Sequence, residues 1–174
     1  MQVDNNALRG QIEEKAVELG RLSENRGVVC TTVESCTAGG LSYAITAVAG
    51  SSSWFDRGFV TYTNEAKEEL VGVSHATLAA HGAVSEETAR EMAAGALRHA
   101  QKARISASIT GIAGPGGAVP GKPVGTVCFG FARRAEDGSI EVESVTEHFA
   151  GDRRSVREQS ILRALTGLCV LAQE

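Results

Sequence analysis

The stretch TVESCTAGGLS, residues 32–42, sets two nucleophiles side by side, Ser35 and Cys36, ahead of a run of small residues. It follows a β-branched segment and opens an apolar helical pattern. At such a strand-to-helix turn, backbone N–H groups point outward and can stabilise an oxyanion. The same position is also where serines merely cap helices. A serine hydroxyl becomes a nucleophile only beside a base. The four histidines, His75, His81, His99 and His148, stand in no triad pattern. Lys67 is the other candidate base. It falls in the first turn of a helix predicted over 64–71, where the positive helix end and burial both favour a neutral amine. Cys36 reads as a small buried hydrophobe.

Two further stretches bear on anions. GDRRSVREQ (151–159) puts Arg153, Arg154 and Arg157 at a helix start, where the dipole disfavours cations. A phosphate or carboxylate ligand would explain that placement. Solvated arginines screened by Asp152 and Glu158 are the plain alternative. GGAVPGKP (116–123) mimics a phosphate-binding loop up to Lys122. Pro123 then stands where Ser or Thr should hold Mg²⁺, and the segment leads into a strand, which argues against a kinase or ATPase. The glycines of TGIAGPGG (110–117) still let the backbone approach a ligand closely.

The elements that must position these residues follow from periodicity and caps. Residues 6–26 predict a helix stopped by Gly27, and VVCTTV (28–33) a strand. CTAGGLSYAITAV (36–48) predicts a helix, and GFVTYT (58–63) a second strand. Asn64, Ser74 and Ser85 read as helix caps. ISASIT (105–110) is a third strand. VGTVCFGFA (124–132) and SIEVESVTEHFA (139–150) form a hairpin around EDG. Asp152 caps a last helix to about Ala172. Strands alternating with helices, then meeting directly, predict a three-layer α/β/α sandwich on a mostly parallel, mixed sheet. Ligands in such sheets sit beyond the carboxyl ends of parallel strands, so the loops 34–40, 63–67 and 110–122 are expected on one rim.

The 174 residues, 43% hydrophobic and 22% charged, fit one soluble domain over 1–174. A net charge of −4 gives no electrostatic case for nucleic acid. Cys30, Cys36, Cys128 and Cys169 are scattered without metal-ligand or CxxC spacing, which fits free thiols in a reducing cytosol and implies no metal or other cofactor. MQVDNNALRG carries no signal-peptide pattern, and the uncharged run 35–55 is too interrupted for a membrane span.

TVESCTAGGL, GSSSWFDRGFVTYTNEAK, HGAVSEETA, TGIAGPGG, KPVGTVCFGFA and FAGDRRSVR occur in this order. Together they resemble the CinA C-terminal domain family from about Ala7 to about Ala164, in a stand-alone form. The enzymatic members of that family are nicotinamide-nucleotide amidohydrolases, which convert nicotinamide mononucleotide (NMN) to nicotinate mononucleotide and ammonia. The resemblance implies that Ser35 is the nucleophile and that Tyr62, Lys67 and Thr110 belong to the catalytic set. It implies that Arg153 holds the 5′-phosphate, with Thr37, Ala38, Gly39 and Gly111 around the substrate and N–H groups near 37–39 as oxyanion donors. A homodimer is likewise implied. The chain departs from the family's usual SCTGG by carrying Ala38 at the first glycine. A position needing positive φ would make alanine costly there, whereas a helical one would not. The alternative to an amidase is a pyridine-nucleotide-binding or regulatory module of the same fold without turnover.

Overall fold

Along ISASIT (105–110) apolar and polar side chains alternate, and that alternation decides what lies on each side of the sheet. The computed structural model describes residues 4–174; Met1–Val3, part of the opening stretch read above for a targeting pattern, lie outside them. Five strands, β1 (Cys30–Glu34), β2 (Phe55–Val60), β3 (Ile105–Gly111), β4 (Thr126–Arg134) and β5 (Ile140–His148), form one sheet in the order β2-β1-β3-β4-β5. β1 pairs in parallel with β2 and β3, while β4 runs antiparallel to both of its neighbours. Four strands therefore share one direction, as the mostly parallel, mixed sheet requires.

Among the described residues six α-helices cover the two faces. α1 (Asn5–Arg26), α2 (Gly40–Thr46) and α6 (Arg153–Gln173) pack on one side. They bury Cys30, Ile105, Ala107 and Ile109 of the sheet against Leu19, Leu41, Leu165 and Leu168. α3 (Asn64–Val71), α4 (His75–His81) and α5 (Glu86–His99) pack on the other. There Val33 joins Val71, Leu78, Met92 and Ala96. On this face β3 turns hydroxyls toward α5 and the turn that precedes it. Ser106 donates to Ala93 O, Ser108 to Ala89 O and Thr110 to Ala83 O, each at 2.7 Å. The three rungs satisfy buried hydroxyls that would otherwise cost stability. They also let α5 lie close to the sheet: a Cβ at Gly130 would come within 2.3 Å of Ala89 O.

The caps at Ser74, Ser85 and Asp152 and the left-handed stop at Gly27 stand where the sequence puts them. β1 and β4 start two residues later than read from the sequence, and three elements differ in ways that shape the site. α3 is capped by Thr63, whose hydroxyl accepts from Ala66 N, and Asn64 is its first helical residue. Both side chains can cap, and the one that does is fixed by where the chain leaves β2. β2 lies three residues earlier than GFVTYT suggests, because its register on β1 runs from Cys30↔Phe55 to Glu34↔Val60. Beyond Val60 the carbonyls of Thr61, Tyr62 and Thr63 turn out of the ladder toward Lys67. α2 starts only at Gly40, since Ala38 (φ 47°) and Gly39 (φ 93°) are left-handed and cannot continue a right-handed helix.

Position 38 therefore does require positive φ. Alanine in that region costs about 1–2 kcal/mol, part of which is returned by the smaller entropy of the unfolded chain. Ala38→Gly should stabilise the fold by roughly 1 kcal/mol, seen as a higher denaturant midpoint at unchanged slope. A lower midpoint would show that the alanine methyl makes contacts worth more than the strain.

Candidate active site

β1 ends in Glu34, and its side chain decides what the next turn can do. Glu34 is fully buried and points under α2. One carboxylate oxygen accepts from Thr37 Oγ1 (2.7 Å), Gly39 N (3.1 Å) and Leu41 N (2.9 Å). The other accepts from Ser42 N and Ser42 Oγ, both at 2.9 Å. The chain's own carboxylate thus fills the anion-seeking start of α2. This corrects the expectation that N–H groups across 37–39 face a substrate. Gly39 N is taken by Glu34, and Ala38 N donates to Ser35 O at 3.0 Å. Among the described residues, the N–H groups of Cys36 and Thr37 are left without a protein acceptor.

Ser35 follows directly, its N–H bonded to Ile109 O at 2.9 Å. With Glu34 turned toward α2, the alternation along β1 sends Ser35 to the opposite face, toward α3. There Lys67, only 1% exposed, brings Nζ to 3.2 Å from Ser35 Oγ. A helical side chain leans toward the N-terminus of its helix. Lys67 accordingly reaches back over the start of α3 to Thr61 O (2.8 Å), Tyr62 O (3.3 Å) and Thr63 O (3.4 Å). Burial lowers the Lys67 amine from its ordinary 10.5 to about 8. Of the two levers expected from the sequence, the helix end and burial, burial is the cause of this shift. A neutral amine has two N–H donors for this carbonyl cage and one lone pair for the Ser35 hydroxyl.

Cys36 lies beside them with its thiol pushed up to about 11 by burial, against the pull of its own backbone N–H and of Arg157 and Arg153. It is a protonated thiol at neutral pH. The ring of Tyr62 is exposed, with its hydroxyl 3.5 Å from Arg153 Nη2, so what Tyr62 gives Lys67 is its carbonyl. Arg153 anchors its other arm on Gly114 O at 2.8 Å. Thr110 ends the hydroxyl ladder of β3. Gly111 follows where a Cβ would strike Val127 Cγ2 (2.7 Å) and Thr126 O (2.9 Å), so only glycine fits.

Ser35, Cys36, Tyr62, Lys67, Thr110–Gly114, Gly116, Gly117 and Arg153 line one open cleft of about 270 Å³. The three loops expected on one rim do meet there. Ala83 and Val84, between α4 and α5, complete the wall. The period-two hydroxyls Ser106, Ser108 and Thr110 were the available signal that a neighbouring backbone must come this close. Thr37 and Ala38 lie in the turn behind the cleft rather than in its wall. The phosphate-loop mimic is structural: Lys122 donates to His81 O at 2.8 Å. Among the described residues no three His, Cys, Asp or Glu side chains cluster as metal ligands, and no helix is long and apolar enough to cross a membrane.

Fold and cleft define an α/β domain with a buried serine–lysine contact at the carboxyl edge of its sheet. The chain belongs to the CinA C-terminal domain family, whose model it matches over residues 12–171. It is 50% identical over 155 residues to the nicotinamide-nucleotide amidohydrolase PncC of Enterobacter agglomerans, covering 89% of this chain and 92% of that one. It is 50% identical over 151 residues to PncC of Escherichia coli strain K12, covering 87% and 88%. The crystal structure of a competence/damage-inducible protein from Agrobacterium tumefaciens matches with a TM-score of 0.84 at 40% identity, over 94% of this chain and 96% of that one.

Proposed function

We propose that the chain is an amidohydrolase that deamidates NMN to nicotinate mononucleotide and ammonia through an acyl-enzyme on Ser35. The observation that carries the reading is the 3.2 Å approach of a desolvated Lys67 Nζ to Ser35 Oγ. It is supported by the amidohydrolase names of relatives at 50% identity.

The steps follow from the groups present. Neutral Lys67 takes the Ser35 proton as Oγ attacks the carboxamide carbon. Of the two free N–H groups, that of Cys36, which lines the cleft, is the donor for the oxyanion. The resulting ammonium passes its proton to the departing amine, and ammonia leaves. Water, deprotonated by Lys67, then cleaves the ester and releases the carboxylate. Thr110 commits its proton to Ala83 O and so offers lone pairs to the carboxamide NH₂, which would orient the amide. Arg153 at the mouth, beside the Tyr62 hydroxyl, takes the 5′-phosphate.

Ammonia release measured with NMN, nicotinamide riboside and free nicotinamide tests the reading. Turnover should be fastest with NMN; binding of NMN without any ammonia would favour a nucleotide-binding module instead. The phosphate assignment has its own check. Arg153→Ala should raise KM for NMN by roughly ten- to a hundredfold, the loss of about 1.5–3 kcal/mol from a charged hydrogen bond, and leave the riboside nearly unaffected. Equal losses on both substrates would place the phosphate elsewhere.

A further inference from the structure

We propose that Arg157 is a positioning residue for the nucleophile, holding the strained Ser35–Gly39 turn in its working shape from α6. Among the described residues Ala38 is the one non-glycine with positive φ. Strain of this kind persists where the surroundings over-determine it. Glu34 fixes the turn from the sheet side, through Thr37 Oγ1 and Gly39 N. Arg157 fixes it from the other: its Nη2 donates to Thr37 O at 3.1 Å. That carbonyl belongs to the Thr37–Ala38 peptide, whose N–H donates to Ser35 O at 3.0 Å. Arg157 therefore grips one end of a rigid plane whose other end is bonded to Ser35 itself. The tilt of that plane sets the Ser35 backbone, and with it the Ser35 hydroxyl.

Two observations set Arg157 apart from Arg153, one helical turn earlier. Arg153 lines the cleft and Arg157 does not. Among the described residues the buried Nε of Arg157 has no acceptor, an arrangement that proteins rarely keep. A guanidinium held in this way acts on substrate only through the turn it grips. Its removal should lower kcat and spare KM. It should also matter less once the strain it opposes is gone, because glycine adopts positive φ freely.

The inference rests on Ser35 being the nucleophile, so the test uses two readouts on the full chain. One is kcat and KM for ammonia release from NMN. The other is the rate at which phenylmethylsulfonyl fluoride modifies Ser35, read by peptide mass spectrometry. Arg157→Ala should lower kcat about 10- to 100-fold with KM within about twofold, and slow labelling in step. In an Ala38→Gly background the same substitution should cost only a few-fold, a coupling read from the double-mutant cycle. Arg157→Lys, which keeps one donor for Thr37 O, should fall between and carries the comparison where the alanine variant does not fold. Native labelling and turnover in Arg157→Ala would overturn the proposal. So would a loss confined to KM, or an equal loss in both backgrounds. A wild-type chain labelled at Ser35 that releases no ammonia from NMN would sink the amidase reading and leave this one standing.

Discussion

Ser35→Ala should reduce ammonia release from NMN by at least about 10³-fold while the fold is kept. The side chain is small and buried, and among the described residues its hydroxyl has one hydrogen-bond partner, Lys67. The turn is held by backbone and Glu34 bonds that the substitution leaves in place. Cys36→Ala should retain most activity, because burial holds that thiol at about 11 and so protonated. A thiol in that state is a weak nucleophile. Loss of activity in Cys36→Ala with survival in Ser35→Ala would reverse the assignment.

Lys67→Arg should be nearly inactive, down about 10²- to 10⁴-fold, since a guanidinium cannot give up its proton to become a base. In the wild type, with Lys67 near 8, about a tenth of the amine is neutral at pH 7. The rate should therefore rise with pH along a limb near 8, and Lys67→Arg should lose that limb. Stability carries the same signature. The folded value lies below the unfolded 10.5, so burial of the ammonium costs stability in full below about pH 8. Between about 8 and 10.5 the unfolded state binds the extra proton, and stability rises with pH. Measured against Lys67→Met, the wild type should gain stability across that window. An active Lys67→Arg enzyme with the limb unchanged would remove lysine as the base.

The order of elements was legible because each is punctuated by residues with one local job, such as Gly27, Ser74, Ser85 and Asp152. The meeting of Ser35, Lys67, Thr110 and Arg153 was legible through the rim rule and the family motifs. What stayed hidden are contacts whose partner is backbone. Nothing in the residue order says that Glu34 rather than substrate satisfies the start of α2. Neither does it say that Tyr62 serves Lys67 through its carbonyl. Lys67 was recognisable as a base through its helix position and expected burial, but residue order does not show how deeply it lies or that three carbonyls surround it. Position 38 was flagged by the family's glycine, and only the backbone angle decides that the strained alternative holds.

The proposed mechanism forms an ester on Ser35 as ammonia departs. The direct measurement is rapid acid quenching of the chain during turnover with NMN, followed by peptide mass spectrometry. A transient adduct with the mass of a nicotinate-mononucleotide acyl group is expected on the peptide bearing Ser35, absent from Ser35→Ala. Hydroxylamine should intercept it as the hydroxamate. Full ammonia release from wild type in H₂¹⁸O with no adduct, no hydroxamate and undiminished turnover in Ser35→Ala would contradict the account, and would assign the chemistry to direct attack by water.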